Sequence, residues 1–140
     1  MIVAALSDQE LSRFTDLAHQ HELDVLCEVH NAEELKRVAD LGCDAYGVNN
    51  RNLRTFDVNL ETSLRLVDQM PAGAVRVAES GIHTAEDIER LRSAGFEAFL
   101  IGESLMRHPD PGLALRALLS LVTERATVEQ VAAEQMQEQM

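Results

Sequence analysis

The sequence predicts an α/β fold built on a parallel sheet, and three observations support this prediction. Five short apolar runs are each closed by a polar residue, a pattern typical of strands buried on both faces. Longer segments with a helical spacing of apolar residues separate these runs. Side chains suited to helix capping stand at the starts of these segments. Strands and helices that alternate in this way form parallel sheets with right-handed crossovers.

The elements follow one another at intervals of a βα unit. The predicted strands are Ile2 to Leu6, Val25 to Val29, Ala45 to Asn49, Val75 to Glu79 and Ala98 to Ile101. The predicted helices are Ser7 to Gln20, Asn31 to Leu41, Asn59 to Gln69 and Thr84 to Ala94, with a fifth after Pro111. Residues 122–140 are rich in Glu, Gln, Ala and Met. We expect them to be a frayed helix or disordered tail outside a domain of residues 1–121.

Helix boundaries are marked by capping residues. At three predicted helix starts a capping side chain precedes a carboxylate by three residues: Ser7 with Glu10, Asn31 with Glu34, and Thr84 with Asp87. At two predicted helix ends there is a glycine, Gly42 or Gly95. The first arrangement satisfies free amides at a helix start, and the second permits the left-handed turn that ends a helix.

Composition limits the possible partners. The chain has 140 residues, enough for one domain, and a formal net charge of -12. Such acidity argues against a nucleic acid or an anionic membrane surface as partner. A small anion remains compatible, because backbone amides at helix N-termini hold phosphate without basic side chains. No apolar run approaches the roughly 20 residues of a membrane helix, and no signal peptide is evident, so a cytoplasmic location is expected.

The two cysteines, Cys27 and Cys43, lie too far apart for a C-x-x-C redox or zinc motif. We interpret them as free buried thiols.

The first candidate site residue is Glu28, which ends the second apolar run on the same face as Leu26. If that face lines an apolar funnel, Glu28 is suited to general acid or base catalysis. A carboxylate that merely caps the following helix explains the position equally well. His30 follows two residues later and is interpreted as a loop histidine.

Polar residues also close the later strands. Residues 47–53 (GVNNRNL) contain Asn49 and Arg51, which fit either an ordinary turn or a site in which the guanidinium binds carboxylate or phosphate. Residues 78–82 (AESGI) supply a carboxylate, a hydroxyl and a glycine that lets a ligand approach the backbone. Residues 101–106 (IGESLM) deliver a glycine to a short helix start. These last two segments together are typical of a phosphate cradle after the final strands of a barrel.

Five segments in the same order and spacing resemble the indole-3-glycerol-phosphate synthase family: residues 2–6 (IVAAL), 27–30 (CEVH), 47–53, 78–82 and 101–106. The resemblance covers residues 1 to about 121 and corresponds to strands four to eight of that family's barrel. It implies a partial (βα)8 TIM barrel that begins inside the fourth strand. It also implies a lyase of tryptophan biosynthesis that closes the indole ring of 1-(2-carboxyphenylamino)-1-deoxyribulose 5-phosphate, losing carbon dioxide and water, with no cofactor or metal.

The resemblance also implies roles for individual residues. Glu28 is similar to the family's general base, and Asn49 and Arg51 to residues that position the substrate, with Arg51 near its anionic groups. Glu79 is similar to a residue that assists proton transfer, and Ser80 to one that contacts the substrate. Three residues would present backbone amides to the phosphate: Gly81, Gly102 and Glu103.

One departure from the family concerns lysine. The family uses two catalytic lysines, on strands one and three, whereas this sequence contains only Lys36, in a charged helical segment. Arginine does not replace a proton donor, because its pKa is too high. We therefore expect the isolated chain to lack normal turnover.

Alternatives remain open for function and for partners. Another phosphate-binding barrel, such as a relative of phosphoribosylanthranilate isomerase, would share the phosphate site but leaves Glu28, Asn49 and Arg51 unexplained. A non-catalytic, self-associating βα module is the alternative from a different class. A five-stranded remnant would expose two strand edges and half of the inner face. The expected partners are therefore the missing N-terminal barrel segment or a second copy of the chain. Of the possible explanations for the missing strands, we favour an incomplete coding sequence.

Overall fold

The computed structural model describes residues 1–123 of the chain. Most of the predicted tail therefore lies outside the described residues, although residues 122 and 123 still belong to the last helix. No helix within residues 1–123 is long and apolar enough to cross a membrane.

Four parallel strands form a single sheet in chain order. They are β1 (Leu26–Val29), β2 (Ala45–Asn49), β3 (Val75–Glu79) and β4 (Ala98–Leu100), each hydrogen-bonded to the next. Helices alternate with the strands, as the apolar pattern predicts. They are α1 (Asp8–Gln20), α2 (Ala32–Val38), α3 (Glu61–Leu66), α4 (Ala85–Ser93), α5 (Glu103–Met106) and α6 (residues 111–123). The fold is that of a partial TIM barrel.

The predicted caps at the helix starts are confirmed. The Ser7, Asn31 and Thr84 side chains each accept a hydrogen bond from the backbone amide three residues later. At the other ends, Gly95 follows the C-cap residue of α4 with a φ of +106°, whereas Gly42, with a φ of +69°, lies beyond the C-cap residue of α2 and does not cap it. The caps fix where each helix begins, and hence where the loop between a strand and the next helix must turn.

Two helices are shorter than predicted. Helix α2 ends at Val38, before the predicted limit of Leu41. Helix α3 begins at Glu61 instead of Asn59 and continues into a 3-10 turn over Val67–Gln69. Element ends of this kind are set by local hydrogen bonds rather than by apolar spacing.

The strand predicted over Ile2 to Leu6 is wrong. Only Ile2 pairs with β1, through a parallel bridge to Glu28, and Val3–Ala5 form a 3-10 helix. Within residues 1–123 no strand lies beside this segment on the side away from β1, so its backbone groups form hydrogen bonds with other partners. The Ala5 amide donates to the Ile2 carbonyl, and the Arg37 guanidinium donates to the carbonyl oxygens of Val3 and Leu6.

The two faces of the sheet differ in burial. Side chains that face the helices are almost inaccessible to solvent, as for Cys27, Tyr46 and Ala78. On the opposite, barrel-interior face, Val75 is 45% exposed and Leu100 is 58% exposed. The hydrophobic core therefore lies between sheet and helices, whereas much of the interior face is uncovered, as predicted for a partial barrel.

Candidate active site

Polar side chains from neighbouring strands meet at the carboxyl ends of β1, β2 and β3. The sheet register pairs Glu28 with Gly47 and Asn49 with Glu79. Because paired positions in a parallel sheet point to the same face, all three polar side chains project into the barrel interior. The carboxyl ends of barrel strands are where enzymes of this fold carry their active sites.

Gly47 makes room for the carboxylate of Glu79. A Cβ atom at position 47 would lie only 1.8 Å from Glu79 Oε1, so the carboxylate occupies the space that any larger residue would fill. Glu79 is 3% exposed, and its Oε1 atom has no hydrogen-bond partner in the structure. An unpaired, buried carboxylate oxygen on the interior face is unusual and makes Glu79 a candidate functional residue.

This environment changes the ionisation of Glu79. Burial raises its pKa to about 7, and the nearby charge of Glu28 acts in the same direction. His30 and the N-terminal amine oppose the shift without cancelling it. Glu79 is therefore suited to exchanging a proton near neutral pH.

Glu28 lies beside two other polar groups. The Asn49 side-chain amide donates a 2.8 Å hydrogen bond to Glu28 Oε1, and His30 Nε2 lies 3.3 Å from the same oxygen. Asn49 Oδ1 in turn accepts a hydrogen bond from the backbone amide of Arg51. The alternative that Glu28 caps helix α2 is not observed, because Asn31 provides that cap.

His30 has more contacts than expected of a loop histidine. Its Nδ1 atom lies 3.0 Å from Glu34 Oε2, so the ring stands between two carboxylates, and its side chain is only 12% exposed. The sequence contained a signal for this arrangement, since Glu34 lies four residues after His30 and belongs to the cap of α2.

Asn50 was not singled out in the sequence, yet it connects three elements of the site. It is 2% exposed, and its side-chain amide donates to the carbonyl oxygens of Glu79 and Ser80. Its Oδ1 atom accepts hydrogen bonds from the backbone amide and hydroxyl of Ser63 in α3. Asn50 thus fixes the end of β3 relative to α3. A run of polar residues does not reveal which of them turns inward.

The predicted phosphate-binding residues surround one surface cavity of about 330 Å³. Ser80 and Gly81 follow β3 with φ values of +65° and +75°, which turn the backbone sharply at the cavity wall. The Ser104 hydroxyl donates to the Ile82 carbonyl and ties the start of α5 to this loop. The walls combine the two glycine segments and the predicted basic anchor: Arg51, Ser80, Gly81, Gly102 and Glu103.

Arg51 and Glu103 are joined directly across this cavity. The Arg51 guanidinium forms an ion pair with the Glu103 carboxylate, which also pairs with Arg107. The two guanidinium groups, Arg107 first, hold the pKa of Glu103 below its ordinary value. Glu103 therefore remains charged and holds the Arg51 side chain at the cavity.

Sequence comparisons relate the chain to known proteins. A model of the family described as indole-3-glycerol phosphate synthase matches residues 1–118. An indole-3-glycerol phosphate synthase from Koribacter versatilis is 60% identical over 119 residues, covering 85% of this chain and 46% of the relative. One from Albidiferax ferrireducens is 47% identical over 120 residues, covering 86% and 46%. The chain thus spans about half the length of the curated relatives it matches.

Solved structures resemble the chain in fold. A thiamine phosphate pyrophosphorylase from Pyrococcus furiosus aligns with a TM-score of 0.64 at 20% identity, covering 81% of this chain and 55% of that one. The Amycolatopsis orientalis BexX/CysO complex aligns with a TM-score of 0.61 at 19% identity, covering 84% and 49%. These likenesses concern architecture alone. The family match over residues 1–118 decides membership, and the chain belongs to the indole-3-glycerol phosphate synthase family.

Proposed function

We propose that this chain supplies the general-base and substrate-anchoring part of an indole-3-glycerol phosphate synthase active site. The reaction closes the indole ring of 1-(2-carboxyphenylamino)-1-deoxyribulose 5-phosphate with loss of carbon dioxide and water. The observation that carries the proposal is that two carboxylates, Glu28 and Glu79, lie on one face of the sheet, on either side of Gly47, which has no side chain to fill the space between them. Family membership supports the same reaction.

Glu28 is proposed as the general base. It stands on the interior face at the end of β1, where the Asn49 amide holds one of its oxygens and leaves the other available. A base must be fixed within hydrogen-bonding reach of the proton it removes, and the Asn49 contact provides that fixation. Asn49 is itself oriented by the backbone amide of Arg51, which links base and anchor.

Glu79 is proposed to assist proton transfer. Its pKa of about 7 means that protonated and ionised forms coexist near neutral pH, so it can accept a proton in one step and return it in another. Decarboxylation and dehydration both require protons to move, and a second carboxyl group beside the base meets that need.

The substrate phosphate is proposed to bind in the cavity between the loops after β3 and β4. Ser80 and Gly81 form one wall and Gly102 and Glu103 the other, so backbone amides are the proposed donors. Arg51 lies on the same cavity and offers its guanidinium to an anionic group of the substrate. The substrate's charge would then compete with Glu103 for Arg51.

The family's reaction also uses two catalytic lysines, and Glu79, which is proposed to move protons beside the base, does not take their place. The only lysine, Lys36, lies exposed on α2, away from the interior face. We therefore propose that activity requires a further barrel segment with strands one to three and their lysines, in the same or a separate polypeptide. The uncovered interior side chains Val75 and Leu100 support this proposal, because such a segment would bury them.

Complementation tests the proposal. Residues 1–140 alone are expected to form no indole-3-glycerol phosphate above background. Co-expression with strands one to three and their helices from a related synthase should restore the activity. In the complemented enzyme, Glu28→Gln should lower kcat by roughly 10²- to 10⁴-fold and change KM much less, because the amide keeps the shape but cannot accept a proton.

Exposed Glu33 in the first turn of α2 provides the matched control, since Glu33→Gln removes the same charge from a side chain that does not line the cavity beside His30 and Asn49. It should leave kcat unchanged. Equal activity of the Glu28→Gln and Glu33→Gln enzymes would overturn the general-base assignment. Robust turnover by residues 1–140 alone would overturn the proposal that an acid must come from elsewhere.

A further inference from the structure

The two cysteines of the chain face each other in the core, on the side of the sheet opposite the candidate active site. Cys27 belongs to β1 and points toward the helices, whereas Cys43 precedes β2. Both thiols are free and buried, as the sequence predicts. Their sulfur atoms are 2.8 Å apart, only about 0.8 Å more than the roughly 2.05 Å of a disulfide bond.

The surroundings make the two thiols chemically unequal. The two sulfur atoms share a hydrogen bond, and the side chains of Thr15 and Tyr46 lie near Cys43, with their hydroxyl groups donating to the carbonyl oxygens of Leu11 and Val38. The contact with Cys27 is the main cause that lowers the pKa of Cys43, because a neighbouring thiol that donates a hydrogen bond stabilises the thiolate. The same neighbouring sulfur, together with burial, raises the pKa of Cys27. Cys43 also lines a surface cavity, whereas Cys27 is 0% exposed, so Cys43 is the candidate nucleophile of the pair.

A path for a small reagent leads to Cys43. A surface cavity of about 500 Å³ is lined by Cys43 together with Gly42, Asp44 and Tyr46, and by residues 71–74 before β3. These segments lie at the amino ends of the strands, away from Glu28 and Glu79. A reagent the size of a peroxide would thus approach Cys43 without entering the candidate active site.

We propose that Cys27 and Cys43 form a peroxide-sensitive thiol pair that closes to an intramolecular disulfide. The Cys43 thiolate attacks one oxygen of hydrogen peroxide, the O–O bond breaks, and a sulfenic acid and hydroxide are formed. The Cys27 sulfur then attacks the Cys43 sulfur, and the S–O bond of the sulfenic acid breaks. The leaving hydroxide takes up the Cys27 proton and departs as water. In total, two thiols and one hydrogen peroxide give one disulfide and two water molecules, and two electrons pass from sulfur to oxygen.

The bond would tie two neighbouring strands together. It would connect β1 to the segment that enters β2 and enclose all of α2. Glu28 follows Cys27 directly, so the disulfide would also restrain the strand that carries this carboxylate. The proposal does not rest on the proposed catalytic function, because the thiols are on the opposite face of the sheet and its test needs no turnover.

The test treats the reduced, folded chain with hydrogen peroxide and measures intact mass after unfolding without reductant. The chain has only two cysteines, so the result is unambiguous. We expect a monomer lighter by two hydrogen atoms, without alkylatable thiols, that regains both thiols on treatment with dithiothreitol. Its Tm should exceed that of the reduced chain by up to roughly 10 °C. Thiols that both remain alkylatable, or a disulfide between two chains, would overturn the proposal.

Single serine variants separate this mechanism from simple oxidation. In Cys27→Ser, peroxide should leave Cys43 as a sulfenic acid that a dimedone probe captures. In Cys43→Ser, Cys27 should stay unlabelled under the same conditions. Labelling of Cys27 alone would refute the assignment of Cys43 as the nucleophile. If a variant fails to fold, alkylation of the folded wild-type chain with limiting iodoacetamide still ranks the two thiols, and faster modification of Cys27 would count against the proposal.

Discussion

The ionisation of Glu79 makes the stability of the chain depend on pH in an unusual direction. Its pKa is about 7 in the folded chain, against an ordinary value of 4.5. Between these two values the folded chain holds a proton that the unfolded chain has lost. The free energy of unfolding should therefore fall as pH rises from about 4.5 to about 7, and Glu79 should cause no further change above that range.

The size of this effect follows from the two pKa values. Each pH unit over which the protonation differs contributes about 1.36 kcal/mol. An interval of about 2.5 pH units therefore corresponds to roughly 3 kcal/mol of stability lost between pH 4.5 and pH 7. This is a large part of the roughly 5 to 15 kcal/mol that stabilises an ordinary domain. With Glu79 only 3% exposed, solvent screens little of it.

The assay is urea unfolding of wild type and Glu79→Gln at a series of pH values. The variant keeps the shape of the side chain but cannot ionise, so its free energy of unfolding should change by roughly 3 kcal/mol less than that of wild type over this interval. Glu33→Gln, at an exposed position of α2, should retain the wild-type dependence. Parallel pH curves for wild type and Glu79→Gln would refute the explanation of Glu79 as an unpaired, buried carboxyl group.

Three further predictions concern the packing of the site and the ends of its helices. Gly47→Ala should push the Glu79 carboxylate toward solvent, since the added Cβ would lie 1.8 Å from Oε1, and NMR titration should show the Glu79 pKa moving back toward 4.5. Asn50→Ala should lower the free energy of unfolding by roughly 2 to 4 kcal/mol in urea, because buried partners around Ser63 and β3 lose their hydrogen bonds. Thr84→Ala should cost about 1 kcal/mol in the same assay through loss of the α4 cap.

Features encoded by neighbouring residues were predictable from the sequence. The caps at Ser7, Asn31 and Thr84 are local, because donor and acceptor are three residues apart, and all three form as predicted. Alternation along one strand predicts that Glu28 shares a face with Leu26, and the sheet register identifies that face as the interior. Contacts between residues distant in the sequence were harder to predict, as the wrongly predicted strand at Ile2 to Leu6 shows. A strand needs partners along its length, and an apolar run does not state whether they are present.

The interior of the site depended on tertiary packing that no local pattern contains. The role of Gly47 appears only when β2 and β3 are aligned, because the side chain that fills its space is Glu79, 32 positions later. The contact between Cys27 and Cys43 likewise requires β1 and the start of β2 to be adjacent. Which of Asn49, Asn50 and Arg51 points inward is decided by partners in β1, β3 and α3.

The exposed interior face leads to a last prediction, which separates folding of the chain from its association with the proposed further segment. Val75 begins β3 on the interior face and is 45% exposed, whereas Ala78, in the same strand, faces the helices and is 0% exposed. Val75→Asp should lower the free energy of unfolding by no more than roughly 1 to 2 kcal/mol, because Asp is a poor strand former and part of the Val75 side chain is buried, but the new carboxylate stays in water. Ala78→Asp should destabilise the isolated chain by several kcal/mol, since a charge would enter the core.

Binding of the further barrel segment, unlike folding of the chain, should be sensitive to the change at Val75. In a closed barrel the interior is filled by layers of side chains, so a segment that completes this sheet would bury position 75 and with it the introduced charge. Val75→Asp should therefore weaken binding of strands one to three and their helices by at least roughly tenfold in sedimentation experiments, while the chain itself stays folded. Val75 lies at the end of β3 away from Glu79, so an effect on the chemical groups does not explain such a loss. Binding of Val75→Asp with wild-type affinity would mean that the segment covers another surface, and that the exposed interior face is not the site of association.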